Sequence, residues 1–136
     1  MIYLTRRETF CAAHKLYRKE WSKKKNLKIF GQCANPNWHG HNYELVVTVK
    51  GEINPETGFV INLRILSKII RENVIRKVDH KNLNLDVKFM KNKITSTENL
   101  AIAIWNELNP SIKKSGCQLH RVTIKDTENN VVEYTG

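Results

Sequence analysis

The clearest pattern in the chain runs from Tyr43 to Lys50. Tyr43, Leu45, Val47 and Val49 fall on one face, while Glu44, Thr48 and Lys50 fall on the other. A period of two predicts a half-buried β-strand. Tyr3 to Ala13, with β-branched and aromatic residues in looser alternation, predicts another strand before it. Gly51 to Gly58 contains Asn54 and Pro55 and reads as a turn. The period then changes. Leu63, Leu66, Ile70, Val74 and Val78 form a helical stripe, with Asn62 placed to cap it. A second helix is expected from about Ser96, where Thr95 and Glu98 have capping-box spacing. Leu100, Ile104, Trp105 and Leu108 supply its buried face, and Pro110 is expected to stop it. Two strands end the chain, about Gln118 to Asp126 and Val131 to Tyr134, joined by a turn at Glu128-Asn129-Asn130.

The predicted order is ββααββ, an α+β fold: a four-stranded antiparallel sheet with two helices on one face. Such a sheet leaves open edges, and joining them between copies is one remedy, so oligomerisation is expected. Residues 15–42 form a long polar, lysine-rich excursion. A loop of that length inside a small domain usually serves function.

At 136 residues the chain fits one domain, 1–136. Apolar residues make up 40% and charged residues 26%, ordinary values for a globular protein. No apolar run reaches the roughly 20 residues needed to span a bilayer. Arg6, Arg7 and Glu8 stand where a signal peptide would carry its apolar stretch. Cys11, Cys33 and Cys117 are odd in number and suggest no disulfide framework, which suits a reducing compartment. The chain therefore reads as cytoplasmic, with no membrane partner. The net charge of +10 invites a nucleic-acid reading. Against it, Lys23-Lys24-Lys25 is the only tight basic run, and no groove-reading or base-stacking motif is visible.

The chemistry concentrates in the histidines. His39 and His41 flank Gly40 immediately before the second strand, and residues two apart on an extended chain point the same way. His14 ends the first strand. If the first two strands pair as a hairpin, all three imidazoles converge. Three histidines with an open position is the pattern of a catalytic zinc site. The alternative is a set of surface histidines in a polar loop. Cys33, six residues before His39, has three readings: a fourth ligand closing a structural site, a nearby thiolate that removes a proton, or a plain buried cysteine. Asp79-His80 follows the first helix as either a proton-relay pair or a helix-end histidine. Asp126 falls in phase with Val122 and Ile124, an acid on an apolar face that needs a partner, in a ligand or in a structural arginine.

These residues sit in segments that resemble the 6-pyruvoyl-tetrahydropterin synthase family and its 6-carboxytetrahydropterin synthase relatives. The matching stretches are Phe10-Cys11-Ala12-Ala13-His14, Phe30-Gly31-Gln32-Cys33, Asn35-Pro36-Asn37 and His39-Gly40-His41-Asn42-Tyr43. Further matches are Gly58-Phe59-Val60, Asp79-His80-Lys81-Asn82-Leu83-Asn84, Ser96-Thr97-Glu98-Asn99 and Glu128-Asn129-Asn130. The resemblance implies the tunnelling fold, with sheets of three subunits joined into a barrel and two trimers stacked as a homohexamer. It implies zinc held by His14, His39 and His41, Cys33 as the proton-removing thiolate, and Asp79 with His80 as a relay from a neighbouring subunit. Ser96 and Thr97 match the pterin-contacting stretch, and Glu98 is a further substrate contact. Where the family anchors the pterin with a glutamate, this chain has Asp126, one methylene shorter.

The activity implied is a lyase reaction on the pterin 7,8-dihydroneopterin triphosphate, giving 6-pyruvoyl-tetrahydropterin and free triphosphate without a redox cofactor. The alternative is the carboxy-forming reaction of queuosine-type pathways on the same substrate, releasing acetaldehyde as well. The five residues between Cys33 and His39 resemble the pyruvoyl-forming type. A non-enzymatic zinc module with a Cys-His₃ site is the remaining alternative.

Overall fold

A computed structural model describes all residues, 1–136. Strand β1 (Ile2–His14) and strand β2 (His39–Gly51) form a long antiparallel hairpin in which Phe10 faces Tyr43 and His14 faces His39. Parity decides what each face does. Phe10, Ala12, Tyr43, Leu45, Val47 and Val49 are buried on one side of this hairpin. The opposite side carries pairs such as Arg7 and Glu44, 3.2 Å apart. Phe10 and Tyr43 stack with ring centroids 4.8 Å apart, a cross-strand contact that helps set the register.

Three helices accompany the sheet. Helix α1 (Lys23–Phe30) lies inside the excursion between β1 and β2. Helix α2 (Leu63–Ile70), capped by the Asn62 side chain on Arg64 N–H, continues through a π-helical turn, Arg71–Ile75, into Arg76–Val78. Leu66, Ile70, Val74 and Val78 all reach zero exposure, whereas Leu63 is exposed. Helix α3 (Thr97–Lys114) carries the other half of the core. Strands β4 (Gln118–Thr127) and β5 (Asn130–Tyr134) complete the hairpins.

Five expectations change. The polar excursion 15–42 contains helix α1, so the fold has three helices rather than the expected two. The sheet has five strands, in the order β3-β1-β2-β4-β5, because Lys81–Asn82 (β3) pairs in parallel with Ala12 and Ala13. Two residues carry no periodicity, so that strand has no sequence signal. His39, Gly40 and His41 lie within β2 rather than before it. Pro110 does not end α3: the stripe Leu100, Ile104, Leu108 continues to Ile112, which is fully buried, and this packing outweighs the lost backbone hydrogen bond. The cap of α3 is Ser96, whose hydroxyl accepts from Asn99 N–H, one residue later than the Thr95–Glu98 spacing suggested. No helix is long and apolar enough to cross a membrane.

Candidate metal centre and active site

The hairpin register places His14 directly across from His39, and His41 two residues further along the same face. The three ring centroids lie 4.5 Å (His14–His39), 5.2 Å (His14–His41) and 5.0 Å (His39–His41) apart. One nitrogen from each ring lies within 4.8 Å of the others. Between the two β2 histidines, a side chain on Gly40 would bring its Cβ to 3.1 Å from the Ala12 carbonyl oxygen. Glycine therefore permits the close approach of the strands that carry the three histidines.

The His14 ring is fixed from outside the hairpin. Its Nδ1 lies 2.7 Å from the Thr95 carbonyl, in a buried contact in which the nitrogen donates. That bond selects the tautomer with a free lone pair on Nε2, the usual way a structure orients a ligating histidine. The Tyr43 hydroxyl stands 3.4 Å from Nε2. Burial, above all, pushes His14 down from 6.5 to about 4, and His39 and His41 add to the shift. Burial likewise lowers His39, whose Nδ1 is buried without a hydrogen-bond partner. Burial pushes the Tyr43 phenol up, reinforced by the charge of Asp126. Neutral imidazoles, one fixed tautomer and one orphaned nitrogen fit a divalent cation such as zinc.

Around this centre the predicted residues separate. Asp126 is half-buried at a β-bulge between Lys125 and Thr127. Its carboxylate accepts from Thr97 Oγ1 at 3.3 Å and from the Thr127 N–H at 2.7 Å. Ser96 is engaged in capping, and Glu98 is exposed in the first turn of α3. Asp79 and His80 form a second group with Cys11. Asp79 Oδ1 accepts the Cys11 N–H at 3.0 Å and lies 3.1 Å from His80 Nδ1. The Cys11 N–H first, and then His80, holds the Asp79 carboxyl below its ordinary range. His80 adopts φ 60°, and its N–H donates to the Cys11 carbonyl at 2.7 Å, which locks this unfavourable backbone. Cys33 belongs to neither group. It sits in a 3₁₀ turn, Gly31–Ala34, tied to the hairpin end by Leu16 N–H donating to its carbonyl at 2.8 Å.

Sequence reasoning missed three members of this region. Tyr43 reads as a core residue because its ring is one. The Thr95 carbonyl leaves no side-chain signature. Cys11 carries the Asp79–His80 pair through its backbone.

The fold overlays the solved structure of the Caenorhabditis elegans 6-pyruvoyl tetrahydropterin synthase with a TM-score of 0.93, at 37% identity over 99% of this chain and 95% of that one. That defines the class: a pterin-synthase fold with a histidine cluster at the hairpin end. The 6-pyruvoyl tetrahydropterin synthase family profile matches residues 3–136. The chain is 46% identical to the 6-pyruvoyl tetrahydrobiopterin synthase of Homo sapiens, over 98% of this chain and 90% of that protein. It is also 46% identical to the enzyme of that name from Dictyostelium discoideum, over 99% and 96%. The chain belongs to the 6-pyruvoyl tetrahydropterin synthase family and is an enzyme, a lyase of that type.

Proposed function

We propose that this chain is a zinc-dependent lyase that converts 7,8-dihydroneopterin triphosphate to 6-pyruvoyl-tetrahydropterin and triphosphate. The observation that carries the reading is the convergence of His14, His39 and His41, with the orphaned His39 Nδ1, in a chain so similar to named pyruvoyl-forming synthases. The carboxy-forming alternative is not favoured by those names.

His14, His39 and His41 would hold the metal. The chemistry a bound zinc ion supplies is Lewis acidity toward the substrate's side-chain hydroxyls, which makes the neighbouring C–H bonds more acidic. Cys33 takes the side-chain proton. The electrons of that C–H bond reduce the pterin ring, and triphosphate departs, so no external oxidant or reductant is needed. Asp79 orients His80 through Nδ1, leaving the other ring nitrogen to carry protons. Cys33 lies outside the Cys11–Asp79–His80 group of its own protomer, which supports the reading that a neighbouring subunit's relay serves it, in a homohexamer with sheets joined edge to edge. Asp126, steadied by Thr97, accepts the N–H groups of the amino-pyrimidine edge, with Ser96 and Glu98 at its flank. A cytoplasmic setting fits the free cysteines.

The test is mass spectrometry of the product formed by the purified, zinc-loaded chain. A pyruvoyl product with stoichiometric triphosphate is expected; a carboxylate with acetaldehyde would select the alternative, and no triphosphate release would sink the reading. Cys33→Ala should abolish turnover while leaving zinc content unchanged, and full activity in that variant would remove the proposed role. Sedimentation should give about six times 15.9 kDa.

A further inference from the structure

Cys11 stands one step out of phase with Phe10, Ala12 and His14, which are buried on the core side of β1. Alternation along a strand sends its side chain to the opposite face, away from the three histidines. Two contacts hold Asp79 and His80 against it. Asp79 Oδ1 accepts the Cys11 N–H at 3.0 Å, and the His80 N–H donates to the Cys11 carbonyl at 2.7 Å. The next residues, Lys81 and Asn82, pair with Ala12 and Ala13, so β3 extends this tie along β1.

A thiol, a carboxylate and an imidazole thus converge, with one ligand atom from each within 4.8 Å of the others. The Asp79 contacts, to Cys11 N–H and to His80 Nδ1 at 3.1 Å, both use Oδ1, which leaves Oδ2 for a cation. The side chains of His80 and Asp79 are 80% and 36% exposed, so the group opens to solvent. A proton relay explains the carboxylate and the imidazole but gives the sulfur no task. A thiolate and a carboxylate together carry two negative charges, which a divalent cation neutralises. Sulfur beside imidazole selects a thiophilic ion, zinc or cadmium, over magnesium or calcium. Three protein ligands leave a position for water, and the open face lets the ion exchange.

We propose that Cys11, Asp79 and His80 form a second metal site, separate from the histidine centre, which takes up a thiophilic divalent cation reversibly and thereby withdraws Asp79 and His80 from proton transfer. Uptake breaks the Cys11 S–H bond, forms a metal–sulfur bond and releases the proton to solvent. The site goes beyond the function proposed above, and only its inhibitory consequence rests on that reading.

Cobalt(II) is the probe, added to the metal-free, reduced chain until binding saturates. The histidine centre has no sulfur ligand, so a sulfur-to-cobalt charge-transfer band in the near ultraviolet reports the second site alone. The parent should show the band and bind two cobalt ions by equilibrium dialysis. Cys11→Ser should lose the band and one ion, and Cys33→Ala should keep both. Asp79→Asn, which can still accept the Cys11 N–H, should weaken the cobalt ion that gives the band by about 10-fold or more. No band in the parent, or a band that survives Cys11→Ser or disappears in Cys33→Ala, would overturn the proposal, as would unchanged affinity in Asp79→Asn. In turnover assays, zinc beyond one equivalent should inhibit the parent and spare Cys11→Ser. A cobalt band from Cys11 without that inhibition would remove Asp79 and His80 from the relay and leave the metal site standing.

Discussion

Acidification of the metal-free chain provides a quantitative check on the histidine centre. Burial holds His14 at about 4 in the folded chain, against 6.5 when exposed. Between those values the unfolded chain binds more protons than the folded one, so stability is present above about pH 6.5 and is lost as pH falls toward 4. A shift of about 2.5 units at about 1.4 kcal/mol each gives a full loss of roughly 3–4 kcal/mol. Between pH 7 and pH 5, above most carboxylate titration, His14 alone accounts for about 2 kcal/mol. His39 is lowered by the same cause and acts in the same direction. Urea unfolding of the chelator-treated protein at several pH values measures this directly, with His14→Asn as the reference. The parent should lose about 2 kcal/mol more than the variant over that interval. Parallel pH dependences for the two proteins would refute a buried, neutral His14.

Three substitutions probe other parts of the argument. Gly40→Ala forces a Cβ to 3.1 Å from the Ala12 carbonyl, so it should lower both zinc affinity and melting temperature, whereas unchanged metal affinity would show that the strands can part without disturbing the ligands. Asp126→Asn should raise KM for the pterin about 10- to 100-fold with kcat less affected, as steady-state kinetics would show; a pure kcat effect would contradict an anchoring role. Leu108→Ala removes a side chain of zero exposure from α3 and should cost about 2–5 kcal/mol in urea unfolding without changing the metal stoichiometry of the folded protein.

The hairpin was legible because parity alone determines it. Once Tyr43, Leu45, Val47 and Val49 are assigned to the core, His39 and His41 share their face, and the pairing brings His14 across. Helix α1 was not legible because it is anchored by a polar residue. Asn26 is buried, accepts from Arg18 N–H at 2.7 Å, and donates to the carbonyls of Arg18, Trp21 and Ser22, while Leu27 and Ile29 of the same helix stay exposed. Such a network leaves no apolar stripe to read. The cap of α3 was misplaced for a related reason. Thr95 has the right chemistry for a cap, but its hydroxyl donates to Lys15 O and Asn84 Oδ1 instead. The division of the acids into one group around Asp79 and another around Asp126 depends on which loops return to the hairpin end, and no local pattern encodes that.

The bond from His14 to the Thr95 carbonyl spans 81 positions of sequence. During synthesis the three imidazoles emerge early, within the first hairpin, but the group that chooses the proton-bearing nitrogen of His14 arrives only when the chain has grown past residue 95. A truncated chain can gather the donors without fixing their orientation. For the zinc site proposed above, tight capture would therefore be a late event, and retention of the ion would report that the second half of the molecule has docked.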